Sequence, residues 1–208
     1  MSFSATERSA LAALMSTLGP EHPTVLPGWT THDLLVHLVV REQRPDAAVG
    51  ILVPAFARHL HNVEEHYKQQ DFHELLAQWA AGPRRYNPMK YVDPYVNALE
   101  HFVHHEDVRR SLPDWRPREF SESEQQALHR SLSVIAKVLL GKSRVPVVLE
   151  PQGLPRILVS DRRGVAEDGS DVAHVSGPIG ELILWAYYRE AVGIELSGPA
   201  DKIVRTSI

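Results

Sequence analysis

The sequence predicts a mainly α protein: a four-helix bundle followed by a small C-terminal α/β appendage. Apolar residues recur at helical spacing between capping signals as far as about residue 140. Beyond that point the texture changes to short β-branched runs bounded by Pro, Gly and charged residues. A chain of 208 residues that is 43% hydrophobic and 23% charged also has the balance of a globular protein able to bury a sizeable core.

Ser4 and Glu7 read as a capping box, and Leu11, Leu14, Met15 and Leu18 follow at helical spacing until Gly19-Pro20 stops them. After a turn-rich stretch to Gly28, Thr30 is placed to cap a second helix from Thr31 to Gln43, with Asp33 in its first turn. Helical spacing returns between Pro54 and Gly82, broken near Asp71, which can cap a short helix containing Phe72, Leu75, Leu76 and Trp79. Asp93-Pro94 starts a further helix that runs to about Leu112, before Pro113. Ser121 and Glu124 form another capping box, for a helix ending at Leu140-Gly141. Val145 to Leu149, Ile157 to Ser160 and Val172 to Val175 read as strands, and Ser176-Gly177-Pro178 opens an amphipathic helix with Leu182, Ile183, Trp185 and Ala186. These readings divide the chain into a helical bundle, 1–142, and an α/β region, 143–208.

The absence of cysteine excludes disulfides, thiolate metal ligands and a cysteine nucleophile. Any metal must bind through nitrogen and oxygen. The N-terminus lacks the order of a signal peptide, and no apolar run approaches the ~20 residues that span a bilayer, so a cytoplasmic protein with no membrane partner is expected. A net charge of −4 with no basic block argues against a nucleic-acid partner. No HExxH zincin motif, Gly-rich phosphate loop or GxSxG elbow occurs.

Among the twelve histidines, one stretch stands out: EHFVHHED, residues 100–107, with Glu100 and His104 one helical turn apart, and His101 and His105 likewise. On a helical wheel Val92, Val96, Leu99 and Val103 form the apolar stripe, bordered by Glu100, His104 and Asp107. His101 and His105 then point nearly opposite. His37 lies in the apolar run LLVHLVV, where a buried ring needs a polar partner. A metal held by His37, Glu100 and His104, with a fourth position open, would have the ligand set of catalytic zinc, and Ni2+ or Fe2+ suits it too. A satisfied hydrogen bond in the core explains the same pattern. Asp33 and Asp107 could orient the imidazoles, or act as a helix cap and a surface charge respectively. His59, His61, His66 and His73 fall on a polar pattern and read as a solvated face.

Residues 25–38, VLPGWTTHDLLVHL, resemble the P-G-W-x-x-x-D-L-x-x-H-L motif of the superfamily of mycothiol-dependent maleylpyruvate isomerases and DinB-like metalloproteins, and EHFVHHED resembles its second motif. The similarity is greatest to an actinobacterial branch of metal-binding proteins of unassigned activity. It spans roughly residues 5 to 140 and implies a DinB-like bundle whose metal ligands fall on His37, Glu100 and His104. SGPIGELILW, residues 176–185, is similar to the G-P-x-G-E-L-x-L-W pattern of the attached C-terminal domain. That domain supplies the isomerase with an arginine, for which Arg189 is the candidate here.

The resemblance implies a mycothiol-dependent, isomerase-like or thiol-transferring enzyme that uses Zn2+ (or Ni2+/Fe2+), acting on a small thiol and an electrophilic substrate. A metal-dependent hydrolase and a non-catalytic metal-binding or stress-response module are the alternatives. A homodimer is compatible with either.

Overall fold

A computed structural model describes residues 2–82, 94–159 and 171–206. Ser2, not Ser4, caps α1 (Phe3–Leu18), its hydroxyl accepting from the Ala5 amide at 3.3 Å. Ser4 and Glu7 lie one turn further in and direct their side chains to two histidines of a later helix, so the expected capping box does not form. Gly19, at φ 80°, closes the helix with its amide on the Met15 carbonyl, a backbone conformation open to glycine.

The second helix, α2 (Thr31–Gln43), starts at the expected box: the Thr30 hydroxyl accepts from the Asp33 amide at 3.2 Å and the Asp33 carboxylate from the Thr30 amide at 2.9 Å. The helix α3 (Pro45–Leu52) was not foreseen, because apart from Asp46 it has no polar residue against which a helical period could be read. A 3-10 turn at Pro54–Phe56 leads into α4 (Ala57–Lys68). Asp71 caps α5 (Phe72–Ala80) through the amides of His73 and Glu74. The last helix of this part is α6 (Pro94–Arg109); Val92 and the expected start at Asp93 lie outside the described residues.

These six helices belong to one compact unit, Met1–Arg116. Leu11 and Met15 of α1, Leu34 and Leu38 of α2, Leu75 and Trp79 of α5 and Val108 of α6 are fully buried in its core. Along α1 runs α6, while α2 packs against α4 and α5.

A second unit covers Pro117–Ile208. It opens with α7 (Glu122–Leu140), capped by Ser121 and Glu124 as expected. The sequence grouped α7 with the bundle, but its buried face of Leu128, Leu132, Ile135 and Leu139 packs instead on α8 (Ile179–Ala186) and on β2 (Ile157–Val159). A small sheet needs a helix across its apolar face, and α7 supplies one. The sheet has the order β2-β1-β3-β4, with β1 (Val147–Pro151) parallel to β3 (Ala173–Gly177) and the outer pairings antiparallel. The fourth strand, β4 (Glu195–Ser197), is three exposed residues, too short to show an alternating pattern in sequence. Ser160, expected to end β2, is not among the described residues. The architecture is thus mainly α, a DinB-like helical bundle with a small C-terminal α/β part.

Candidate metal centre

Every residue of α6 from Ala98 to Val108 is buried, an arrangement that leaves the helix no solvent face. Its many polar side chains must therefore find partners inside the protein. Glu100 and His104 face α2, where His37 stands, and one ligand atom from each of the three lies within 4.8 Å of the others. His104 Nε2 and Glu100 Oε2 are 3.5 Å apart. Two ligands on a tetrahedral ion with bonds of ~2.1 Å sit roughly 3.4 Å apart, so that pair is already at ligand spacing and His37 needs only a small inward movement.

The orientation of each ring follows from its other contacts. His104 Nδ1–H donates to Asp107 Oδ2 at 2.9 Å, leaving Nε2 turned toward Glu100. Asp107 is fully buried, so it orients an imidazole and is not a surface charge. Asp33 caps α2 and accepts from Lys68 Nζ at 2.9 Å, which settles it as a cap. His37 makes no hydrogen bond among the described residues; its neighbours are rings, Trp29 at 5.4 Å and His104 at 5.3 Å between centroids. It is also the one partly exposed member of the trio. A neutral imidazole left unpaired beside a carboxylate and a second imidazole is what a divalent cation would complete.

The electrostatics give each residue its protonation state. Burial alone would raise Glu100, but the Arg41 guanidinium and His104 outweigh it and hold the carboxyl at about 2. For His104 burial acts downward and is overcome by hydrogen bonds to Asp107 and Glu100, which lift the ring to about 9. Burial, with the positive charge of His104 beside it, pushes His37 down to about 3. Near neutrality Glu100 is therefore ionised, His104 is an imidazolium, and His37 is neutral with a lone pair available.

Against the wheel-based expectation, His101 and His105 are buried as well, on the side of α6 that faces α1. His101 Nε2–H donates to Glu42 Oε1 at 3.0 Å, and Nδ1 meets Ser4. His105 Nδ1–H donates to Glu7 Oε2 at 2.9 Å. Glu42 further accepts from Trp79 Nε1 at 3.1 Å and from Arg8 at 2.7 Å, so this side is a closed polar network. Of the other histidines, His59 pairs with Asp46 at an exposed position, as a solvated face implies.

Sequence reading passed over Arg41. Its Nε is 3.3 Å from Glu100 Oε2 and its Nη1 donates to Asn97 Oδ1 at 3.2 Å. The signal was present, because Arg41 follows His37 by one turn and so shares its face of α2. Arg189, in the second unit, donates from Nη1 to the Tyr187 carbonyl at 2.9 Å. In the SGPIGELILW segment, Ser176 and Gly177 end β3 and Pro178 precedes α8. The buried Glu181 accepts from the Val192 amide at 2.9 Å, folding the chain back after the helix.

Comparison with known protein families and with curated protein sequences gives no match. Comparison with solved structures does. The chain is similar to the crystal structure of a mycothiol-dependent maleylpyruvate isomerase, with a TM-score of 0.50, 17% identity, and coverage of 94% of this chain and 90% of that one. It is similar also to a point mutant of such an isomerase, with a TM-score of 0.51 and 15% identity over the same shares of each chain. At these identities the likeness shows a shared fold. Among the described residues no helix is long and apolar enough to cross a membrane.

Proposed function

We propose that this protein binds one divalent metal ion, zinc foremost, through His37, Glu100 and His104, and activates a small thiol, mycothiol, for transfer to an electrophile or for thiol-assisted isomerisation. The observation that carries the reading is the convergence of two imidazoles and a carboxylate in which His37 makes no hydrogen bond among the described residues. A fold shared with mycothiol-dependent isomerases supports the choice of thiol. The chemistry an ion supplies there is to lower the pKa of a thiol that reaches it and to favour the deprotonated sulfur.

The chain's own residues divide the remaining work. His37 offers a neutral nitrogen from the partly exposed side of the site, through which a small molecule can approach. Glu100 brings a negative charge that Arg41 keeps ionised. Asp107 fixes the His104 tautomer, so that Nε2 is the nitrogen facing the site.

The test uses cobalt-substituted protein. Adding mycothiol is expected to produce an intense near-ultraviolet charge-transfer band that is absent without thiol and weakens as pH falls, because binding releases the thiol proton. A spectrum unchanged at saturating mycothiol would remove the thiol reading and leave metal-assisted hydrolysis or a non-catalytic metal role.

A further inference from the structure

We infer that Arg41 makes the open side of the His37–Glu100–His104 centre selective for anionic ligands, a deprotonated thiol among them. The inference rests on the metal reading above and goes beyond it, since it concerns which ligands the site prefers and which residue sets the preference. It begins from position. Arg41 is one turn beyond His37 on α2, so both side chains leave the same face of that helix. The guanidinium is held at two points, Nε to Glu100 and Nη1 to Asn97. No hydrogen bond to Nη2 occurs among the described residues, and the side chain keeps 15% of its surface exposed. A positive charge is thus fixed beside the centre, against the carboxylate that would hold the ion.

Charge gives the second step. Two carboxylates, Glu100 and Asp107, bring negative charge to the centre, and Arg41 stands against the first of them at 3.3 Å. A divalent ion requires His104 in its neutral form. The two positive charges of the ion and that of Arg41 then face the same two carboxylates, which leaves one positive charge in excess. In a largely buried site that excess favours an anion over a neutral molecule at the remaining position. Without Arg41 the loaded site would be neutral and the preference would shrink.

A purely structural role for Arg41, keeping Glu100 in place, leads to different consequences. If Arg41 only clamps Glu100, its loss should weaken the metal and the anion together. If it acts through its charge, the two move in opposite directions. A cation competing for Glu100 and repelling the ion is gone, so metal binds more tightly, while anions bind less well.

Wild type, Arg41→Met and Arg41→Lys would be loaded with cobalt and titrated with azide, followed by the visible absorption bands. 2-Mercaptoethanol would be titrated in parallel in the near ultraviolet, and zinc affinity measured by competition with a chromophoric chelator. Arg41→Met is expected to weaken azide and thiol roughly a hundredfold, the effect of one charge about 6 Å away at an effective dielectric of ~20, while zinc affinity rises. Arg41→Lys, which keeps the charge, should recover most of the azide affinity. Equal azide affinity in wild type and Arg41→Met overturns the inference, and so does a joint fall of zinc and azide affinity. If the wild type takes up no cobalt, the metal reading itself fails and takes this inference with it. Uptake with unaltered anion binding in Arg41→Met removes the inference alone.

Discussion

On the α1 side of α6, His101 and His105 are each closed by a carboxylate from another helix, Glu42 and Glu7. On the α2 side, His104 and Glu100 meet His37, which has no hydrogen bond of its own among the described residues. Both i, i+4 pairs are buried to a similar degree, His101 at 1% and His105 at 7% exposed against Glu100 at 6% and His104 at 7%. Spacing and burial therefore fail to separate a ligand set from a core network. What separates them is whether the polar atoms have already been used. The α1 side is a set of hydrogen bonds to carboxylates, whereas the α2 side holds a partly exposed imidazole that makes no hydrogen bond among the described residues.

The largest expected effect breaks the comparison directly. His104→Ala should reduce bound zinc from about one ion per chain to almost none, since it removes one of three ligands. His101→Ala and His105→Ala should leave zinc content unchanged by elemental analysis. They should instead lower stability, by roughly 1–3 kcal/mol in urea unfolding, because each leaves a buried carboxylate short of a hydrogen-bond donor. Loss of zinc in His105→Ala would show that the two sides of α6 are not chemically distinct.

A smaller effect sharpens the contrast. Asp107 and Glu7 are both buried carboxylates accepting from a histidine Nδ1–H, one on each side of the helix. Only Asp107 orients a ring of the candidate centre. Asp107→Asn should therefore weaken zinc roughly ten- to a hundredfold, while Glu7→Gln should not change zinc affinity at all. Competition with a chelator measures both, and equal effects would mean that the orientation of His104 does not matter to the metal.

The same contrast explains how much could be read in advance. The capping box of α2 is local, with Thr30 and Asp33 three residues apart before an apolar run, and it formed as expected. The three centre residues were legible too, since a lone His in an apolar run and an i, i+4 Glu–His pair are visible without tertiary structure. The fate of His101 and His105 was not. A wheel assumes one apolar and one solvated side, but α6 is buried all round from Ala98 to Val108, and the partners that close its second side come from α1 and α2. Likewise Ser4 and Glu7 have the spacing of a capping box, yet their side chains are taken by contacts with residues almost a hundred positions away. For α7 the local signals gave the helix its limits, while only packing decided which unit it joined.

The smallest effect is a pH dependence of opposite sign for the metal-free and the metal-loaded protein. His104 has a folded-state pKa of about 9, above its ordinary 6.5. Its contribution to stability without metal is complete below 6.5 and is lost as pH rises through 9. His37, held down to about 3, acts the other way: the folded state resists its protonation, so stability is lost as pH falls from 6.5 toward 3. Metal-free protein should accordingly have its highest Tm near pH 6.5 so far as these two groups decide it, with a decline on either side. Zinc needs the proton on His104 removed, so its affinity should climb about tenfold per pH unit between 7 and 9 and then level off. Calorimetric scans of the two forms across that range should diverge, the metal-free Tm falling while the zinc-loaded Tm holds. His105, whose Nδ1 is already committed to Glu7 and whose ring is not placed at the centre, should leave this divergence intact when replaced by Ala. Parallel curves for the two forms would mean that no proton leaves His104 when zinc arrives, and with it the case for His104 as a ligand would fall.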